Sequence, residues 1–294
     1  KHPSYHCDCI ASKGESRPSD NSHGTRKLID FLTALELKSL HKHEDDFLYA
    51  RDKEGLTVLD ILLQMGSNAP IIPFLKLLNS KQMVKMFGGI NSIEGVVLKH
   101  KSAVHEIATK YPQFLNKIME MMGEPDQLTV IQIREGSKNE TVLHVLADKS
   151  PEILLAIVQK IPKNRLNTVL KYQNCTGSTI FHILAKKAVS ELSQQILEKV
   201  HTDIVREEAI KLLSIQDANG ATALHYEVAM QKDNSSSVKS TVMESYQQII
   251  GKKRILRDCL GLDKENGITK SAIETASKAI SQPSFTFDDT SKNM

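Results

Sequence analysis

Histidine recurs in this chain at a fixed place within a short repeated pattern. His105, His144, His182 and His225 each stand three residues after a Ser or a Thr. Imidazoles repeated in this way could bind a metal ion or relay protons. Each copy belongs to a separate structural unit, however, and packed helices lie about 10 Å apart, whereas metal ligands converge on one ion. The spacing therefore favours structural hydrogen bonding, and we expect no metal at these positions.

Two clusters near the N-terminus contain the residue types of a metal site. The first comprises His2, His6, Cys7 and Cys9, with His23 as a more distant candidate. Its two cysteines are closer together than in usual zinc sites, and no second ligand pair follows at zinc-finger spacing. Metal binding by this arm stays open beside its interpretation as a flexible segment. The second cluster is more typical of a solvated connector than of a metal or acid–base site, and it comprises His41, His43, Glu44, Asp45 and Asp46.

A nucleophile is the other chemistry that single residues suggest. Cys175 lies in a turn, within the sequence Asn-Cys-Thr-Gly. A catalytic thiol needs a base that a third group orients, and the nearest histidine in the pattern, His182, already has a structural assignment. The chain contains neither a glycine-rich phosphate loop nor a Gly-x-Ser-x-Gly motif. We therefore expect no catalytic residue and no cofactor.

The most basic run also carries little information about a ligand. Lys252, Lys253 and Arg254 are followed by Arg257, and no aromatic residue interleaves with them. Base stacking on such a run is not expected. The whole chain has 38 basic and 35 acidic residues, a formal net charge of +3. This balance does not indicate a nucleic-acid partner.

Composition is that of an ordinary globular protein. The 294 residues are 40% hydrophobic and 25% charged, with only 5% aromatic residues and no Trp, which suits stacked helices with an aliphatic core. The four cysteines are scattered, so we expect a reducing, cytoplasmic compartment. No run of 18 apolar residues is present, so no membrane span is expected. Because the chain begins with Lys1, a further domain outside it is an open alternative.

The repeated pattern indicates how these residues are positioned. Its Thr or Ser stands at positions 57, 102, 141, 179, 222 and 271, in steps of 45, 39, 38, 43 and 49 residues. We predict in each step a turn, an apolar helix, a short break and a second apolar helix. Predicted second helices fall at 70–79, 112–122, 151–161, 191–200 and about 241–250. One helix pair cannot bury its own apolar face, so successive pairs are expected to stack.

The pattern resembles the ankyrin repeat, whose signature is Thr-Pro-Leu-His and whose unit is a β-turn with two antiparallel helices. The matching stretches begin at Ser102, Thr141, Thr179 and Thr222. The resemblance implies that the Thr caps the first helix, the apolar residue fills the core and the His ties neighbouring turns. No copy has the Pro, and Asp60 and Glu274 replace the His at the two ends. We expect the length beyond about 33 residues to lie in longer second helices, longer connectors and the Ser-rich insert at 232–239.

The expected architecture is therefore an all-α solenoid of about six ankyrin-like helix-turn-helix units over residues 25–280. A capping helix is predicted at 26–40, and units are predicted to start near 52, 97, 136, 173, 217 and 263. Residues 1–24 are predicted to form a flexible polar arm, and 281–294 a disordered tail.

The resemblance implies a non-enzymatic module that binds one or more partner proteins on a concave face. The expected contacts are at the turn tips, at Lys53, Glu54, Lys138, Asn139, Asn174, Cys175, Ala218, Asn219, Lys264 and Glu265. The elongated units also resemble ankyrin proteins that intracellular bacteria deliver as effectors, which implies secretion into a host cytosol. The alternative is the ankyrin portion of an enzyme whose catalytic site lies outside this chain or in an unrecognised place.

Overall fold

The computed structural model describes residues 48–50, 53, 56–66, 69–88, 102–136, 138–233 and 241–251. In these ranges the backbone forms 14 helices and one two-stranded hairpin, so the predicted all-α class is confirmed for this part of the chain. Several predictions lie outside the described residues. These are the arm at 1–24, the capping helix at 26–40, the unit near 263, the tail at 281–294 and the starting points of the units near 52 and 97.

Three helices make up each of the first two described units. Unit 1 contains α1 (Val58–Gln64), α2 (Ile71–Lys76) and α3 (Ser80–Gly88). Unit 2 contains α4 (Ala103–Lys110), α5 (Pro112–Glu120) and α6 (Glu124–Gln132). Proline stands in the first turn of α5 and of α6, where its missing N–H would have no partner within the helix.

Units 3 and 4 repeat this order, and unit 5 begins in the same way. Unit 3 opens with a hairpin of β1 (Arg134–Glu135) and β2 (Glu140–Thr141), followed by α7 (Val142–Lys149), α8 (Pro151–Lys160) and α9 (Lys163–Leu170). Unit 4 contains α10 (Ile180–Lys186), α11 (Ser190–Asp203) and α12 (Arg206–Leu213). Unit 5 contains α13 (Ala223–Asp233) and α14 (Thr241–Ile250).

The third helix of units 1–4 is the main difference from the prediction. Two helices were expected in each step, with the surplus length in longer second helices and connectors. Instead, most of the surplus forms α3, α6, α9 and α12, and α11, with 14 residues, is the only long second helix in the described ranges. In α9 the buried residues are Leu166, Val169 and Leu170, surrounded by polar residues. So short an apolar stripe does not distinguish a helix from a polar connector.

Equivalent helices pack against one another along the chain. The first helices make successive contacts in the order α1, α4, α7, α10 and α13, and the second helices in the order α2, α5, α8, α11 and α14. The third helices α3 and α6 are in contact, as are α9 and α12. One continuous cluster of buried apolar side chains runs through all five units. Each unit therefore shields the apolar face of its neighbour, as stacking requires.

The repeated Thr begins the first helix of its unit. In unit 1 the side chain of Thr57 accepts a hydrogen bond from the Asp60 N–H at 3.3 Å, and the Asp60 carboxylate accepts one from the Thr57 N–H at 2.8 Å. This reciprocal arrangement is a capping box, so the predicted cap at Thr57 is confirmed.

None of the helices in the described ranges has the length and apolar character needed to cross a bilayer.

Candidate functional site

The turns that open units 4 and 5 are built in the same way. The Asn174 Oδ1 atom accepts hydrogen bonds from the N–H groups of Thr176 and Ser178, both at 3.0 Å. The Asp217 Oδ1 atom likewise accepts bonds from the N–H groups of Asn219 and Ala221, at 2.9 and 3.2 Å. Such Asx turns explain why Asn and Asp are interchangeable at the start of the repeated pattern.

Neighbouring turns are joined tip to tip by backbone hydrogen bonds. The Cys175 N–H donates to the Lys138 carbonyl at 2.8 Å, and the Ala218 N–H donates to the Thr176 carbonyl at 2.8 Å. The approach is close, because a Cβ on Gly177 would lie 2.9 Å from the Ala218 nitrogen. The tips at 138–139, 174–177 and 217–220 thus form one hydrogen-bonded edge, which we call the turn row.

The repeated histidines tie the units together below these tips. The Nδ1 atom of His144 accepts from the Thr141 N–H at 3.2 Å, which leaves Nε2 to carry the proton and donate to the Ser178 carbonyl at 3.0 Å. His182 repeats both bonds, from Thr179 at 3.1 Å and to the Ala221 carbonyl at 3.0 Å.

Two further histidines share parts of this arrangement. In unit 2 the His105 Nε2 atom lies 2.9 Å from the Glu140 carbonyl oxygen. In unit 5 the Thr222 N–H donates to Nδ1 of His225 at 3.0 Å. The predicted tie between units is therefore confirmed for His105, His144 and His182, which we call the histidine ladder.

Burial keeps His144 and His182 uncharged. Desolvation lowers the pKa of His144 and of His182 to about 4, although the carbonyl hydrogen bonds act in the opposite direction. Both rings are therefore neutral near pH 7, which the acceptor role of Nδ1 requires. With both ring nitrogens engaged, neither imidazole offers a lone pair to a metal ion. In the described ranges, no three His, Cys, Asp or Glu side chains are grouped as a metal site requires.

Asp60 replaces the histidine in unit 1 and reproduces half of its function. Its Oδ2 atom lies 2.8 Å from both the backbone nitrogen and the hydroxyl oxygen of Thr57. An ionised carboxylate only accepts hydrogen bonds. The Asp60 carboxylate can therefore complete the capping box of its own helix, but it cannot donate a hydrogen bond to a carbonyl of the next unit as a histidine Nε2–H does.

Asp217 is the centre of a buried polar network between units 4 and 5. Its Oδ2 atom accepts a hydrogen bond from the Tyr226 hydroxyl at 2.6 Å and lies 3.5 Å from the Lys186 ammonium. That ammonium also lies 4.2 Å from the centroid of the Tyr226 ring, and the His182 ring meets the Tyr226 ring edge-on. Burial raises the pKa of Asp217, but bonds from Tyr226 and from the Asn219 backbone outweigh it and hold the pKa below its usual value. The network anchors this turn to both units.

Tyr226 and Lys186 were missed by sequence reasoning. Tyr226 follows the histidine, where units 3 and 4 have the aliphatic Val145 and Ile183. A hydroxyl at a position that is aliphatic in the two preceding units was the available signal, since a buried Tyr usually hydrogen-bonds.

The predicted contact residues fall into three groups. Lys53, Lys138, Cys175, Ala218 and Asn219 are exposed, and Asn139 is half-buried with a left-handed φ of 51°. The Asn174 side chain bonds within its own turn, so it shapes the turn row. The remaining three predicted contacts, Glu54, Lys264 and Glu265, lie outside the described residues. Whether any of these residues touches a partner stays a prediction.

The thiol of Cys175 is exposed at a turn tip. The histidine of the same unit, His182, already uses both ring nitrogens within the ladder, so this imidazole does not serve as a base for the thiol. The other chemical clusters lie outside the described residues. These are the arm with Cys7 and Cys9, the connector at 41–46 and the basic run at 252–257.

Comparison with known proteins adds no family assignment. No protein-family model matches the chain, and no curated protein matches it significantly.

Proposed function

We propose that the chain is a solenoid of ankyrin-like units and that it binds a partner protein without catalysing a reaction. The partner sits on the turn row and the adjoining face of the first helices. The observation that carries this proposal is the double tie between units, with backbone bonds at the tips and histidine bonds below them. These ties hold exposed side chains from three successive units in one fixed array.

A fixed array favours binding because little conformational freedom is lost when the partner docks. The hydrogen-bonding framework repeats from unit to unit, whereas the exposed tip residues differ, being Lys138, Cys175 and Ala218 in successive units. Constant residues therefore build the surface and variable residues determine what it recognises. The resemblance to delivered bacterial proteins extends the proposal to a host-cell protein as the partner.

The test introduces charge at the tips without changing the framework. Cys175→Arg and Ala218→Arg, made together, leave the backbone N–H donors of both residues in place. The control pair is Lys117→Glu and Glu198→Arg, at exposed positions on the second helices α5 and α11.

Proteins captured by each full-length variant are compared by quantitative mass spectrometry after circular dichroism has established equal helical content. We expect the tip variant to lose partners that the wild type and the control pair retain. Equal capture by all three would contradict binding at the turn row.

A further inference from the structure

Units 1–4 each expose a side chain eight residues after the N-cap of the first helix, at Met65, Lys110, Lys149 and Lys187. On α1 the residue four positions after the N-cap, Ile61, is exposed as well. The equivalent residue is half-buried on α4 (Glu106) and buried on α7 (Val145). Residues four apart on a helix share one face, and successive first helices are in contact. The exposed residues Ile61, Met65, Lys110, Lys149 and Lys187 therefore lie along one side of the stacked first helices, which we call the first-helix strip.

One end of the strip is apolar. Ile61 is 40% exposed and Met65 is 43% exposed, although both are large hydrophobic residues. On the neighbouring helix Glu106 and Lys110 pair at 2.6 Å, so that their charges cancel. This end therefore presents apolar surface beside a neutral ion pair.

The other end is basic. Lys149, the last residue of α7, and Lys187, the residue after α10, each lie 2.9 Å from the carboxylate of Asp148, and they remain 53% and 39% exposed. The Lys187 ammonium also donates to the Asp148 main-chain carbonyl, but a carbonyl carries no formal charge, so two ammonium groups share one carboxylate within contact distance and leave an excess positive charge. A favourable interaction with the helix dipole explains a lysine at a helix C-terminus. It does not explain why two lysines share one counter-ion across two units.

Resting on the proposed protein-binding function, we infer that the first-helix strip binds an extended segment of the partner with apolar side chains at one end and Asp or Glu at the other. The apolar end of the segment covers Ile61 and Met65. Its carboxylates bind Lys149 and Lys187 and complete the neutralisation that Asp148 begins.

The length of the segment follows from the packing. Three helix-to-helix intervals separate α1 from α10, and at about 10 Å each they span about 30 Å. An extended chain advances about 3.3 Å per residue, so about nine residues cover the strip. A nucleic-acid strand is charged at every phosphate, whereas this strip is basic at one end and apolar at the other. The polarity of the strip therefore favours a peptide.

The test uses the full-length protein and fluorescein-labelled twelve-residue peptides at low salt. The segregated peptide has three leucines near one end and four glutamates near the other, separated by serine and alanine. A second peptide has the same composition with leucine and glutamate alternating, and a third replaces the glutamates of the first with lysines. A single-stranded oligodeoxynucleotide probes phosphate binding. Affinities are measured by fluorescence anisotropy.

We expect the segregated peptide to bind more tightly than the other probes, and to bind more weakly as sodium chloride is added. Lys149→Gln with Lys187→Gln should weaken it about fivefold, a typical effect for two exposed charge pairs. Ile61→Ser with Met65→Ser should weaken it about tenfold through lost apolar burial. Lys117→Gln and Val205→Ser, at exposed sites outside the strip, are the matched controls.

Equal affinity of the alternating and segregated peptides would overturn the inference, as would unchanged affinity in both strip variants. Tighter binding of the oligonucleotide that depends on Lys149 and Lys187 would overturn it in favour of nucleic acid. Failure of the proposed function is distinguishable. If the tip variant loses its captured partners while the peptides do not bind, only the inference about the strip is wrong. If tip-variant capture is also unchanged, both proposals are wrong.

Discussion

Acidification should destabilise this protein through His144 and His182. His144 and His182 have pKa values of about 4 in the folded chain, against about 6.5 for an unfolded His. The unfolded state therefore binds protons more readily, so the stability that these rings contribute is fully present above pH 6.5 and is lost as the pH falls towards 4. At pH 5 the linkage relation gives a loss of about 2 kcal/mol for each ring, and about 4 kcal/mol for both.

The assay is urea unfolding monitored by circular dichroism at pH 7.5, 6 and 5. The perturbation is the double replacement His144→Gln and His182→Gln. Glutamine at this helix position can still close the capping box on the Thr N–H, but it does not titrate. The other titrating groups contribute to the pH dependence of stability in both proteins, so comparing the variant with the wild type isolates the contribution of the two histidines.

The double variant should be less stable than the wild type at pH 7.5, but it should lose about 4 kcal/mol less stability between pH 7.5 and pH 5. His201→Gln, at an exposed imidazole on α11, controls for the replacement itself. An identical pH dependence in the wild type and the double variant would refute the assignment of neutral, buried rings.

Three further predictions concern the core and the turns. Glu227 is buried at a position where units 3 and 4 have Leu, and burial raises its pKa to about 7. Because the buried carboxylate is ionised at pH 8 and protonated at pH 5, Glu227→Leu should stabilise the chain by about 3 kcal/mol at pH 8 and by only about 1 kcal/mol at pH 5. Urea unfolding at the two pH values measures this difference. Leu143→Ala and Leu224→Ala should each cost about 2–5 kcal/mol, because both side chains are fully buried, and a cost below about 0.5 kcal/mol at both sites would contradict the packing described above. Gly177 and Gly220 share a φ of 72°, so alanine is strained at both positions. Of these two, only Gly177 would also bring the added methyl group against the backbone of a described neighbouring turn. Thermal melts should therefore show a cost of about 1 kcal/mol for Gly220→Ala and about 2–3 kcal/mol for Gly177→Ala.

The features that could be predicted from sequence are those that depend on residue type at a fixed spacing. The Thr and His of the repeated pattern located the first helices, their caps and the tie between units, because capping and imidazole hydrogen bonding need particular side chains. The predicted second helix at 241–250 coincides with α14. The predicted second helices at 112–122 and 151–161 differ from α5 and α8 by only one or two residues at the C-terminal end.

The features that were missed have little signature in residue type. The tip-to-tip bonds of Cys175 and Ala218 join backbone groups, which every residue other than proline carries. The third helices have only eight or nine residues, of which two to four are buried, so their apolar stripes are too short to distinguish a helix from a connector. The role of Asn174 within its turn depends on local backbone geometry, so its sequence neighbours did not distinguish a turn-building residue from a contact residue.

The histidine ladder has a consequence for how such a chain can vary. Each ring donates to a main-chain carbonyl of the following unit, at Glu140, Ser178 or Ala221. Because any amino acid supplies that acceptor, the bond places no demand on the side chain of the recipient. Units joined in this way can exchange their surface residues independently, or be transplanted as blocks, while the joint between them is kept.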